Sequence, residues 1–498
     1  MSKKRSFIAS LFLLPGSIFT WFLYMFPSDG SYRTIRVSSR WYRSTLIKFF
    51  LSCIFWFIIL PYLFLELTEF KRRREELINR MAPESVAIIP TSPEKIRNKD
   101  VFYPFRPDSD FFYLTGFNEP HCLAVISPER PQGEFIIFCR ERDKDAEIWH
   151  GKRLGLDGAR ECLGANHVFP IEDLEDILPG LIENKKQIYF PMGRYQEFDN
   201  MLMKFVRQID SQNRSGIHAP DQFLALSTIL DEMRLFKNDV ELKSIKKAID
   251  ITREAHIAAM KKAYGGVFEF ELEAEIIGVF MRNGARSPAY PSIVGGGENA
   301  CILHYTDNKD SVADGELVLI DAGAEYGCYA ADITRTFPVN GSFTAEQKAL
   351  YEIVLLAQKA AIDKVKPNNN WDEPHSAALM VIAKGLKDLG ILSGSIEEII
   401  ETEIYKKFFM HKTGHWLGLD VHDVGDYKID NQWRVFEPGM ITTIEPGIYI
   451  SKSEPNINPR WLGIGIRIED DILVTKEGNT NLSKKVPKTI SQIEEIMG

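Results

Sequence analysis

Paired cysteines are missing from this 498-residue chain: its six, Cys53, Cys122, Cys139, Cys162, Cys301 and Cys328, are scattered singly without a C-x-x-C step. That argues against a disulfide framework and against a thiolate zinc site, and it fits a reducing compartment. Charge of one sign is also lacking as a block, because the formal net charge of −9 is spread over both signs, and nothing points to nucleic acid. No H-E-x-x-H pair, no G-x-x-x-x-G-K-[ST] loop and no G-x-S-x-G elbow occurs. The mononuclear zinc-protease, P-loop and nucleophile-elbow chemistries therefore have no support. There is no low-complexity tract or convincing internal repeat, and Gly295-Gly-Gly297 by itself is only a turn.

What is present is an ordinary globular composition, 45% hydrophobic and 26% charged, in a chain long enough for two or three domains with separate cores. The first 66 residues differ from the rest, since Phe7 to Pro27 and Phe49 to Leu65 are apolar runs without a charge. Each is about the length that spans a bilayer core, and a two-helix membrane hairpin is expected there. A signal peptide fits less well, because no small-residue cleavage pattern follows Pro27. Basic residues at the amino end and at Lys71 to Arg74 outnumber slightly those between the runs, which favours both ends, and the catalytic domains, on the cytoplasmic side.

From Thr68 the texture becomes that of a soluble protein. A helix over Lys71 to Met81 leads to strands at Ser85–Pro90, Cys122–Ser127 and Glu134–Cys139, with a helix over Ile171 to Ile182, giving an α/β layered domain. Asp231 to Asp239 reads as a linker into a long helix, Val240 to Lys262. Helices over Glu271 to Asn283 and Thr344 to Lys364, with strands at Leu317–Ala322 and Gly465–Val474, complete an α+β domain. The expected organisation is a hydrophobic extension at 1–66, an N-terminal domain at 67–236 and a catalytic domain at 237–498.

Four acids sit in strand-like surroundings where charge is unwelcome: Asp321, Asp332, Glu445 and Glu469. Buried carboxylates need partners. Gly323 and Gly327 allow a turn that brings Asp321 and Asp332 side by side, and adjacent carboxylates repel unless a cation lies between them. His411, His415 and His422 fall within one short segment beside glycines. Any one of these residues alone is more often structural, but together they form an oxygen-rich site with an imidazole, which suits manganese, cobalt or ferrous iron better than structural zinc. Two such ions can share a water, lower its pKa and clamp a tetrahedral intermediate, with no covalent nucleophile.

The stretches Pro291–Asn299, Ile302–Tyr305, Asp321-Ala-Gly323 with Asp332–Phe337, His415–Gly425, Ile444–Gly447 and Gly463–Asp471 resemble, in order and spacing, the bacterial Xaa-Pro aminopeptidase (aminopeptidase P) family. Asp108–Pro120 and Glu147–Arg153 resemble its N-terminal domain, and the likeness runs from about Thr68 to the C-terminus, leaving residues 1–66 as the departure. The resemblance implies a pita-bread (creatinase/aminopeptidase) catalytic domain holding two Mn2+ ions, with Co2+ or another divalent ion as a substitute. It implies that Asp321 chelates one ion, Asp332 and Glu469 bridge both, and His415 with Glu445 complete the second. Glu445 is also implied as proton shuttle, with His304 and His422 contacting substrate and oxyanion, and Arg467 and Tyr449 in the substrate pocket. Asp110 and Trp149 are implied to approach the active site of a neighbouring subunit in a dimer or tetramer, and His411 to stand behind the ligands.

The implied reaction is hydrolysis after a first residue that precedes proline. Prolidase, restricted to Xaa-Pro dipeptides, shares the ligands and is the alternative. Methionine aminopeptidase would not usually carry the preceding domain, and creatinase relatives or a non-catalytic peptide-binding module should have lost ligands, none of which is missing here.

Overall fold

In the first half of the chain, successive strand residues serve two different cores. Val86 and Ile88, with Leu123, Val125, Ile136 and Phe138, pack on Leu174, Leu178, Leu202 and Phe205. Their neighbours Ala87, Ile89, Ala124 and Ile137 face Phe111, Leu114, Ala159 and Leu163. A sheet covered on both faces needs near-continuous apolar strands, and that is what makes these runs readable. The sheet has six strands in the order His167–Pro170, Phe135–Cys139, Leu123–Ile126, Ser85–Pro90, Gln187–Phe190 and Gln222–Ala225. It is mixed, with Leu123–Ile126 antiparallel to both neighbours and the remaining pairs parallel.

The computed structural model describes residues 60–498, so the expected membrane hairpin lies outside the described residues apart from its end, which enters the helix Leu60–Arg80. No helix among the described residues is long and apolar enough to cross a membrane. Residues 69–498 form one compact unit.

The expected linker is instead structured. Asp231 to Leu235 belong to the helix Ser227–Leu235, in which Met233, Arg234 and Leu235 are buried. Its basic residues are paired internally: Arg234 meets Asp110 at 2.7 Å and Asp423 at 2.6 Å, and Lys237 meets Asp423 at 2.8 Å. The long helix Asp239–Lys262 then begins at a capping box, Asn238 accepting from Val240 and Glu241 N–H while Glu241 accepts from Asn238 N–H.

The second half is α+β. Ile293–Gly296, Leu317–Ala322 and Ile333–Pro338 form one antiparallel sheet, Ile441–Ile444, Asp470–Thr475 and Gly478–Asn481 another, and Gly447–Ile450 pairs with Ile464–Arg467. The helices Asp239–Lys262, Glu269–Arg282, Ala345–Ile362 and Asp372–Asp388 share one apolar core with these sheets. The expected strand Gly465–Val474 is broken at Ile468-Glu469, its two parts belonging to different sheets. The break turns Glu469 toward Thr334, whose carbonyl accepts its N–H at 3.1 Å. Between Asp321 and Asp332 the chain adds a small hairpin, Ala324–Tyr326 with Tyr329–Ala330, turning at Gly327 (φ +58°) and Cys328 (φ +65°).

Candidate metal centre

The strand ends deliver the predicted ligands to one place. Asp321 lies opposite Thr334 in the pair Leu317–Ala322 and Ile333–Pro338, with Asp332 just before the second strand. Gly323 allows this closure, since a Cβ there would sit 1.7 Å from the Ala331 carbonyl oxygen. Glu445 follows the strand Ile441–Ile444, and the segment carrying His415 runs alongside: Thr443 N–H donates to His415 O and Glu445 N–H to Thr413 O, both at 2.9 Å. Gly414 permits that approach, because a Cβ would stand 2.1 Å from Thr443 O.

Ligand atoms of Asp332, His415 and Glu469 all lie within 4.8 Å of one another. His415 Nε2 is 3.3 Å from Asp332 Oδ2 and 3.7 Å from Glu445 Oε1. His415 Nδ1 is 3.0 Å from the Trp416 carbonyl, which can only accept, so Nδ1 carries the proton in a neutral ring. Nε2 then faces the two carboxylates, an atom and two oxygens turned to one point where a cation can sit. Tyr290 OH is 2.6 Å from both Asp321 Oδ1 and Asp332 Oδ1, Thr334 Oγ1 donates to Glu469 at 2.7 Å, and Arg467 donates to Asp321 Oδ2 at 2.7 Å.

Burial, then the neighbouring carboxylates Asp321 and Asp471, holds Asp332 well above its ordinary range. Burial with Asp332 and Glu445 does the same to Glu469. Burial raises Glu445, against the pull of His415 and Arg467. Asp321 goes the other way, as the Arg467 guanidinium and the Tyr290 hydroxyl outweigh its burial. A buried nest of carboxylates that resist ionisation, facing an imidazole lone pair, fits divalent cations.

Around the cluster, the His422 ring lies 4.4 Å from that of His415, and its side chain is exposed at the rim. Burial, His415 and His304 together lower its pKa. His304 is exposed in the stretch after the 3-10 turn Gly297–Cys301. Arg467 is buried and donates to Tyr449 OH at 3.1 Å, and that hydroxyl also meets His411 Nε2 at 2.8 Å. Asp110 and Trp149 stand apart from this arrangement. Asp110 is 1% exposed, with its oxygens taken by Arg234 and Arg194, whereas Trp149 is 82% exposed on the helix Lys144–His150. Tyr290, Thr334 and Asp471, which accepts Asp332 N–H at 3.3 Å, are site residues that the sequence did not single out. A cavity of about 390 Å³, lined by Lys95, Arg106, Asp108, Arg194 and Asp420 among others, includes none of the ligands.

The fold is that of metallopeptidase family M24, whose profile matches residues 243–476, while that of the aminopeptidase P N-terminal domain matches residues 70–189. Xaa-Pro aminopeptidase of Escherichia coli is 44% identical over 430 residues, spanning 86% of this chain and 97% of its own. The structure of Pseudomonas aeruginosa aminopeptidase PepP is 49% identical with a TM-score of 0.86, covering 86% of this chain and 98% of that one. Escherichia coli aminopeptidase P with the inhibitor Pro-Leu is 43% identical with a TM-score of 0.84, at 86% and 98% coverage. The chain belongs to the Xaa-Pro aminopeptidase family, an enzyme of the hydrolase class with the pita-bread fold.

Proposed function

We propose that this chain holds two divalent ions, manganese by preference, and hydrolyses the bond between an N-terminal residue and a following proline. The observation that carries this is the nest of Asp332, His415 and Glu469, with Glu445 and Asp321 at its edges. Asp321, Asp332, His415, Glu445 and Glu469 would hold the ions, Asp332 and Glu469 from the middle of the nest and Asp321 and Glu445 from its edges. When bound, the ions supply Lewis acidity toward a water and toward the carbonyl oxygen. The water adds to the scissile carbonyl carbon, and Glu445 accepts its proton and delivers it to the proline nitrogen as the C–N bond breaks. His422 and His304 donate to the oxygen as it gains charge. Arg467 and Tyr449, bonded to each other, orient the substrate.

Further parts of the reading are a domain junction at 236/237, a dimer or tetramer in which Trp149 meets a second copy, and cytoplasmic catalytic domains. The cytoplasmic placement is supported by the free cysteines Cys122, Cys139, Cys162, Cys301 and Cys328. In the Escherichia coli relative the inhibitor is Pro-Leu, the fragment that an Xaa-Pro-Leu substrate would release. The test is an Xaa-Pro dipeptide beside an Xaa-Pro-Yaa tripeptide with added manganese. Tripeptide cleavage is expected; cleavage of the dipeptide alone makes the enzyme a prolidase, and turnover that survives chelation removes the metal mechanism.

A further inference from the structure

The helix Asp372–Asp388 contributes no ligand, yet its first turn grips the segment that leads into His415. His375 Nδ1 lies 2.8 Å from Thr413 Oγ1, and Lys412 Nζ lies 3.5 Å from Asp372 Oδ1. Thr413 is 2% exposed, and its carbonyl accepts the N–H of Glu445 at 2.9 Å. Two residues on, His415 N–H donates to Thr443 Oγ1 at 3.1 Å. One hydroxyl therefore stands between the imidazole of a neighbouring helix and the backbone that sets two ligands.

We propose that His375 is a positioning residue: by holding the Thr413 hydroxyl it fixes the register of Thr413–His415 against Thr443–Glu445, and with it the pocket for the second divalent ion. This rests on the assignment of His415 and Glu445 as ligands of that ion. The imidazole is suited to a fixed contact. It packs against Phe409 with ring centroids 5.5 Å apart, and burial, reinforced by Lys412, lowers its pKa to about 4. It stays neutral over the working range, so the clamp does not open with pH. Groups behind metal ligands act by fixing ligand orientation, and their loss costs roughly 10–100-fold in affinity or activity.

The experiment is calorimetric manganese titration of the full chain together with steady-state kinetics on an Xaa-Pro-Yaa tripeptide, for wild type, His375→Ala, His375→Asn, Thr413→Val and the Ala/Val double variant. In His375→Ala the second ion should bind about ten-fold more weakly. The first ion should be unaffected, and at saturating manganese kcat should fall while KM stays near the wild-type value. Asn, whose amide can stand where Nδ1 does, should restore most of the loss. The double variant should be no worse than either single one, as groups acting through one contact are not additive. Should His375→Ala fail to fold, Thr413→Val carries the same comparison with the imidazole packing left in place. Unchanged ion affinity and kcat, or losses that multiply in the double variant, overturn the inference while the ligand assignment stands. Wild-type protein that binds no manganese overturns the ligand assignment and this inference with it.

Discussion

Asp332 and His422 both lie against His415, and substituting them should separate holding the ions from using them. Asp332 Oδ2 faces His415 Nε2 at 3.3 Å in the buried nest, whereas His422 reaches only the ring, 4.4 Å away, from the exposed rim. Asp332→Ala is expected to lose both bound metal and turnover, since a bridging carboxylate contacts two ions. His422→Ala should keep its metal and lose about 10²–10³-fold in kcat, the usual loss for an oxyanion donor. Metal analysis after gel filtration, read beside kcat, decides; equal metal loss in both variants would refute the division. At this scale the acids were legible because a charge stands out inside Leu317–Ala322 or before Ile333–Pro338. Tyr290 was not, because the two carboxylates it meets lie 31 and 42 residues along the chain. His375 was hidden in the same way, its partner lying 38 residues on.

Among the elements, strands buried on both faces were the easiest to read, and Ser85–Pro90 and Leu317–Ala322 have the bounds their apolar runs suggest. The helix Asp372–Asp388 went unassigned because Pro367 and three asparagines precede it and Pro374 interrupts its start, although a proline is tolerated in a first turn. Its buried positions Ala378, Leu379, Ile382, Ala383 and Leu386 keep the helical period. The segment Asp231–Asp239 misled for another reason: its basic residues Arg234 and Lys237 are partnered by Asp110, Asp420 and Asp423, far away in sequence. Breaking such a buried set strands its remaining charges, so Arg234→Ala should cost about 3–5 kcal/mol, measured by chemical denaturation. Lys384→Ala, in an exposed pair with Asp388, should cost nothing measurable. Acid should act on the same network in two steps of opposite sign, one weakening it and one strengthening it. Asp423 is depressed, Lys237 and Arg234 outweighing its burial, so its contribution is complete above about pH 4 and is lost as pH falls through its folded pKa. Asp231 is raised to about 6 by burial and then Asp110, so its contribution is complete at low pH and lost as pH rises past that value.

For the molecule as a whole, metal, protons and stability are linked through the carboxylate nest. Without ions, Asp332 and Glu469 are held well above the ordinary carboxylate range and Glu445 is raised, in each case by burial first. Within the nest the folded state then binds more protons than the unfolded one, and the nest's contribution to stability falls as pH climbs from about 4, where the unfolded carboxyls ionise, toward those raised values. Asp321, lowered by Arg467, opposes this with a single carboxylate. Divalent ions reverse the balance, because ligation requires the deprotonated oxygens and the unfolded chain has no assembled site. Manganese binding should therefore release protons, and the rise in thermal midpoint at a fixed ion concentration should grow as pH increases from 6 to 8, following the gain in affinity. Titrating the ion-free protein in two buffers of different ionisation enthalpy measures the release directly. A binding heat that is the same in both buffers would mean that the nest is already ionised before the ions arrive, and that the cations do no more than neutralise charges the fold had left exposed to one another.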